Sequence, residues 1–294
     1  MKHPTRLQRA FLQSEYENSP PALAAFHVIP VPMEVSVSYG VGTARGPAAI
    51  LEASSQLEAD DRGIAPGLRG LHTTRPVRPR CATGKRPSAE AWVAAIAAKV
   101  AQTLRVGAMP LLLGGEHTVT LGAARAYRAI GRQIGFVQFD AHADLRDSYE
   151  GSPLSHACVM RRVHELGFPI LQFGVRALCQ QERDYRKTAG IRAFDAEALT
   201  SRQLPQRLFP RGFPAQIHVT FDVDGLDPSA MPATGTPVAG GLFWREAAAL
   251  LDRLAASRQI VGGDVVELAP VRGLRHADFT AAQLAHRLLS LMRT

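Results

Sequence analysis

Short apolar runs alternate along this chain with longer segments in which apolar residues recur at helical spacing. Residues 25–31, 110–113, 133–140, 170–175, 191–194, 217–221 and 260–267 are the short runs, and they predict strands. Residues 46–57, 88–106, 118–130, 156–166, 244–256 and 279–292 carry the helical period. Alternation of this kind predicts a mostly parallel sheet covered on both faces, because each crossover helix returns over the sheet. Residues 23–294 read as one single-domain three-layer α/β/α sandwich, preceded by an N-terminal arm at 1–22. No internal repeat or low-complexity linker divides the chain.

Composition changes this picture little. The 294 residues are 46% hydrophobic and 20% charged, ordinary values for a globular domain. No apolar run approaches the ~18–20 residues that cross a bilayer, so no membrane partner is expected. The net charge is +8, and Lys2, Arg6 and Arg9 precede the first acid, Glu15. A nucleic-acid partner is not expected, because arginines are scattered and no basic helix carries interleaved aromatics. Cys81, Cys158 and Cys179 are odd in number and widely spaced, which fits reduced thiols in a cytoplasmic protein. Residues 1–22 lack the apolar core of a secretory signal, and a floppy or partner-binding arm fits them better than a transit peptide.

The chemistry lies where the predicted strands end. Val137-Gln-Phe-Asp140-Ala-His142-Ala-Asp144 delivers three metal-type ligands, and Val219-Thr-Phe-Asp222-Val-Asp224 delivers two carboxylates. On a strand, residues two apart share a face, so Asp140 projects with His142 and Asp222 with Asp224. His117 follows Gly114 and Gly115 at the end of another strand, and Glu267 ends the last one. Several strand ends on one edge mark the ligand-binding side of an open α/β sheet. A carboxylate majority with a minority of imidazole suits a pair of divalent ions of the manganese type.

Plainer readings stand beside these. A lone His117 could be a core histidine, Asp227 before Pro228 is better read as a turn former, and Glu267 could be an acid paired with Arg272 or Arg275. His156 could cap a helix or, near a metal pair, move protons. His27, His72, His218, His276 and His286 read as structural or surface residues, and Cys158 as a small buried hydrophobe.

Taken together, the segments resemble the ureohydrolase family of arginases and agmatinases, most like the agmatinases. The matching stretches are Gly114-Gly-Glu-His117, Asp140-Ala-His-Ala-Asp144, Ser155-His156, Phe221-Asp-Val-Asp-Gly-Leu-Asp-Pro228, Ala233-Thr-Gly-Thr-Pro237, Gly240-Gly-Leu242 and Val266-Glu-Leu-Ala-Pro270. Ser38–Ile50 resembles the family's early strand-to-helix signature, and the likeness spans roughly residues 25–292. It implies an arginase-like fold, a homo-oligomer (trimer or hexamer) and two Mn(2+) per subunit. One ion would be held by His117, Asp140, Asp144 and Asp222, the other by His142, Asp140, Asp222 and Asp224. Catalytic roles would fall to His156 as proton carrier, Glu267 as guanidinium receptor and Asp144, with Thr236 lining the guanidinium pocket. Glu116 and Thr118 stand where the family more often has Asp and Ser, and Ala269 where it often has Asn.

The resemblance implies hydrolysis of a small guanidino substrate, foremost agmatine to putrescine and urea, a step of polyamine biosynthesis. Guanidinobutyrase, aminopropylagmatine ureohydrolase and arginase are the alternatives of the same chemistry. A catalytically silent family member acting as a regulatory subunit is the alternative of another kind. The loop 145–154 offers Asp147 and Glu150 to a cationic tail and Arg146 to a carboxylate tail.

Overall fold

The structure, a computed structural model, describes residues 9–82, 84–199 and 206–293. Eight parallel strands form one sheet: β1 (Phe26–Val31), β2 (Leu71–Thr73), β3 (Met109–Gly114), β4 (Gly135–Phe139), β5 (Ile170–Phe173), β6 (Arg192–Phe194), β7 (Gln216–Asp222) and β8 (Gln259–Val266). Their spatial order is β2-β1-β3-β8-β7-β4-β5-β6. Every residue of β1, β3, β4 and β5 is buried, as expected for parallel strands covered on both faces.

The helices are α1 (Gly46–Ser54), α2 (Ala89–Arg105), α3 (Val119–Ala129), α4 (Val159–Glu165), α5 (Gln180–Thr188), α6 (Ala196–Leu199), α7 (Trp244–Ser257) and α8 (Arg275–Leu291). One core joins α1, α7 and α8 to one face of the sheet, through Leu111, Val137, Leu251 and Leu288. A second joins α2, α3 and α4 to the other, through Leu112, Phe136, Ile96 and Val163. The three-layer expectation is met. None of these helices is long and apolar enough to cross a membrane.

Three elements had no apolar signature. β2 is only three residues, α6 only four, and α5 (Gln-Gln-Glu-Arg-Asp-Tyr-Arg-Lys-Thr) is polar nearly all round. The expected helix at 156–166 is a 3-10 turn, His156–Cys158, followed by α4. Of the expected arm, residues 1–8 lie outside the described residues, and the remainder is anchored to β2 and α1. Phe11 and Leu12 are buried, and their backbone N–H groups donate to Thr73 Oγ1 and Ser54 Oγ at 2.9 and 3.1 Å.

Four register-matched phenylalanines brace the site. Phe221, Phe139, Phe173 and Phe194 stack across β7, β4, β5 and β6, with centroids 4.8, 5.1 and 5.3 Å apart. Phe139 and Phe221 each precede a candidate metal ligand, so this ladder fixes the two strand ends against each other. Offset aromatic pairs of this kind contribute about 0.5–1.5 kcal/mol each beyond burial.

Candidate active site

β3, β8, β7 and β4 are neighbours in the sheet, and the candidate residues follow each of them at its C-terminal end. The convergence does not come from the pleat, as the spacing suggested. β4 ends at Phe139 and β7 at Asp222, after which the chain turns. Asp140 Oδ1 accepts the His142 N–H at 2.6 Å, and Asp222 Oδ1 accepts the Asp224 N–H at 2.9 Å. Each leading aspartate therefore closes a turn on its own backbone, and the turn carries the second ligand to the same side. Asp144 and Glu267 sit at φ 53° and 64°, a left-handed conformation that is uncommon for non-glycine residues. Gly115 is required where it is, since a Cβ there would lie 1.9 Å from the Met33 carbonyl oxygen.

The six predicted ligands meet. His117 Nδ1 lies 3.1 Å from Asp140 Oδ2, 2.9 Å from Asp144 Oδ2 and 3.5 Å from Asp222 Oδ2. His142 Nδ1 lies 3.1 Å from Asp224 Oδ2 and 3.5 Å from Asp140 Oδ1. Two ligand groups result, His117–Asp140–Asp144 and Asp140–His142–Asp224, and they share Asp140.

Electrostatics make the same point. Burial, Asp224 and Asp140 push the Asp222 carboxyl well above its ordinary range. Burial and the neighbouring Asp140 push Asp144 up to about 6. Burial disfavours protonated His142, yet Asp140 and Asp224 outweigh it and raise its imidazole to about 11. Buried acids that repel one another call for positive charge, and a divalent pair supplies it.

His117 is prepared as a ligand from behind. Its Nε2 meets Thr220 Oγ1 at 2.8 Å, and Thr220 in turn donates to the buried Asp264 Oδ1 at 2.6 Å. Thr220 has one proton and gives it to Asp264, so its oxygen accepts from His117 Nε2–H. That leaves Nδ1, the atom facing three carboxylates, to give its lone pair to an ion; until an ion sits there, burial is outweighed by Asp140 and Asp144, which hold the imidazole well above its ordinary value. His218, also buried, meets the same Asp264 at 2.8 Å and belongs to this support, as a structural histidine should.

Glu267 is buried, and its Oε1 accepts the His117 backbone N–H at 2.6 Å. Burial and Glu116 raise its pKa well above the usual carboxylate value, so its charged form is disfavoured until a cation sits against it. A cavity of ≈ 270 Å³ opens above the ligands, and His142, Asp144, Arg146, Tyr149, His156, Glu182 and Thr236 contribute to its wall. A narrower recess joins His142, Asp144, His156 and Thr236 to Asp222, Asp224 and Glu267. Asp227 is the turn former expected: its carboxylate accepts from Ser229, Gly240 and Gly241.

The rim differs from the reading of loop 145–154. Arg146 lines the cavity, with its guanidinium over the Tyr149 ring at 5.1 Å. Asp147 does not line it. Its carboxylate accepts from Arg162 at 2.7 Å and lies 3.3 Å from Arg161, so α4 draws it outward. Glu150 is exposed at φ 49° and is also absent from the wall.

Two residues escaped the sequence reading. Glu182 in the first turn of α5 lines the cavity and accepts the N–H groups of Leu145 and Cys179 at 3.0 and 2.8 Å. Its Cys-x-x-Glu spacing is a capping pattern with an unusual first residue. Arg176 donates to the carbonyls of Asp224 and Val238, both at 2.7 Å, and ties the ligand turn to the Thr236 loop.

Residues 24–291 match the Arginase family. The chain belongs to the arginase family. It is 39% identical to an N(1)-aminopropylagmatine ureohydrolase of Synechocystis sp., over 96% of this chain and 93% of that protein. It is 33% identical to an agmatinase of Bacillus anthracis, over 94% of each. The agmatine ureohydrolase of Thermoplasma volcanium has the same fold, with a TM-score of 0.82, 24% identity, and coverage of 97% of this chain and 94% of that one. This arginase-family protein is a ureohydrolase, a hydrolase of amidino C–N bonds, in a family that depends on a binuclear metal centre.

Proposed function

We propose that this ureohydrolase binds two manganese ions and releases urea from a guanidino-terminated polyamine, with N1-aminopropylagmatine ahead of agmatine. The sharing of Asp140 between two ligand groups carries the chemistry. The tail follows from the relatives, because identity to the aminopropylagmatine enzyme exceeds identity to the agmatinase, 39% against 33%. His117, Asp140, Asp144 and Asp222 would hold one ion, and His142, Asp140, Asp222 and Asp224 the other. An oxygen-rich set with two imidazoles suits manganese. Once bound, the pair would supply Lewis acidity and lower the pKa of water at the site toward neutrality.

The chain's own residues do the rest. Glu267 receives the planar guanidinium by charge-assisted hydrogen bonds, and Thr236 lines its recess. Asp144 accepts a hydrogen bond from the attacking water. His156 gives a proton to the departing amine nitrogen, so water and substrate become urea and the free polyamine. The anionic Glu182 offers the cavity wall a partner for the ammonium tail.

Arg146 favours a second reading, a carboxylate-tailed substrate such as guanidinobutyrate. A urea-release panel of aminopropylagmatine, agmatine, guanidinobutyrate and arginine, ranked by kcat/KM with manganese loaded, decides. Guanidinobutyrate in first place sinks the polyamine reading. No turnover of any member, with two metals bound, would return the chain to the role of a silent subunit. A cytoplasmic site fits the three free cysteines. A homo-oligomer belongs to the same proposal, and light scattering on the purified protein tests it.

A further inference from the structure

Glu116, where the resemblance more often has Asp, is fully buried beside His117, and its carboxylate is held by a segment outside the ligand cluster. Its Oε2 accepts the backbone N–H groups of Val35 and Ser36 at 2.6 and 2.7 Å, and its Oε1 accepts the Ser36 hydroxyl at 3.0 Å. Three donors on two oxygens is the pattern of an ionised carboxylate, which can only accept. Ser36 continues toward the cavity. Its Oγ accepts the His156 backbone N–H at 3.0 Å and lies 3.3 Å from His156 Nδ1.

We propose that Glu116 is a positioning residue for His156, acting through Ser36 to set which imidazole nitrogen carries the proton. Ser36 has a single hydroxyl proton, and Glu116 takes it. Ser36 Oγ therefore meets His156 only as an acceptor, at both the backbone N–H and Nδ1. Ser155 Oγ also meets Nδ1, at 3.5 Å, but its free hydroxyl proton can turn either way, so Ser36 decides: the neutral imidazole is held as the Nδ1–H tautomer, and its lone pair lies on Nε2. This rests on the proton-carrying role of His156. A protonated His156 that gives up its Nε2 proton relaxes directly into the tautomer the relay stabilises. The same contacts tie the segment at Ser36 to the turn that opens at His156. Ring orientation and proton position thus share one anchor.

Glu116→Gln separates this from simple packing, because it keeps shape and loses an acceptor. The Val35 and Ser36 N–H groups both point at one oxygen, so the amide oxygen must stay there and the NH2 must face Ser36 Oγ. Ser36 then turns its proton to His156 Nδ1, and the stable tautomer becomes Nε2–H. Ring nitrogen–proton correlation spectra of 15N-histidine protein at alkaline pH, metal removed, read the tautomer directly. Wild type should show Nδ1–H, Glu116→Gln should show Nε2–H, and Ser36→Ala, which only deletes the relay, should show a mixture.

In the manganese-loaded enzyme, Glu116→Gln should lower kcat on the order of tenfold, with KM and metal content within about twofold. Wild-type Nε2–H, an unchanged tautomer in both variants, or an unchanged kcat in Glu116→Gln overturns the proposal. Urea release unaltered by His156→Ala would strike the proton-carrying role instead, and with it the kinetic part, while the tautomer spectra still judge the relay.

Discussion

The floor of the site and its rim are built in opposite ways. Floor residues sit at the ends of β3, β4, β7 and β8, almost all buried, each tied to backbone within a few residues or to the adjoining strand. The rim comes from the loop after Asp144, the Thr236 loop and the first turn of α5, whose side chains are held by loops and helices rather than by a neighbouring strand end. On the floor, burial makes any unpaired charge costly, so position and charge are both fixed. On the rim, charges are screened and can be redirected by one neighbouring arginine. The contrast implies that reaction type and substrate choice are separable properties of this molecule.

The largest expected effect tests the floor. Asp222→Ala should lose urea release and bound manganese together if Asp222 serves both ions as proposed, and metal analysis beside the assay checks it. Two tightly held ions with near-normal turnover would refute the bridging assignment. Next is Glu267→Gln, which keeps shape and removes charge. kcat/KM should fall on the order of 100-fold, because breaking a desolvated charged hydrogen bond costs ~2–4 kcal/mol, while metal content stays constant. Retained activity would make Glu267 a structural acid.

Asp264→Asn touches no ligand but removes the charge and one of the two acceptor oxygens that hold Thr220 and His218. Manganese affinity, by titration of the metal-free protein, should weaken roughly 10–100-fold. An unchanged affinity would show that His117 needs no such support. Acidity should act on the same equilibrium. Asp144 is raised to about 6 and His142 to about 11, and both must lose protons before an ion binds. Manganese affinity therefore rises with pH through 6 and beyond, and binding releases protons. Calorimetry in buffers of different ionisation enthalpy detects that release.

The smallest effect belongs to the rim. Arg146→Ala should leave turnover of cationic-tailed substrates within about threefold, since a half-exposed charge at the cavity rim contributes ~0–1 kcal/mol. A collapse of guanidinobutyrate hydrolysis in that variant would reverse the substrate assignment and leave the floor untouched.

This division also explains what the sequence disclosed. Asp140, His142, Asp222 and Asp224 were legible because each pair closes its own turn, so spacing and chemistry travel together. The apolar runs revealed the central strands because both faces are covered. α5 stayed hidden because its turn pattern is polar, and with it Glu182. The direction of Asp147 was unreadable for another reason. It depends on Arg161 and Arg162, whose nearness follows only after the loop has closed. Glu116 looked like a neutral departure because its partners Val35 and Ser36 lie on a distant segment.

The strand order has a consequence for how the enzyme comes into being. β8 and β7, late in the chain, are inserted between β3 and β4, which are made much earlier. While a ribosome is still extending the chain, His117 and Asp140 have no β7 or β8 between them, and Asp222 and Glu267 do not yet exist. Coordination must wait until nearly the whole protein has been synthesised. A prematurely terminated product ending before β8 lacks the strand that completes the centre of the sheet. Metal ions would thus enter finished chains, and incomplete ones would be left without the ions that would hold them together.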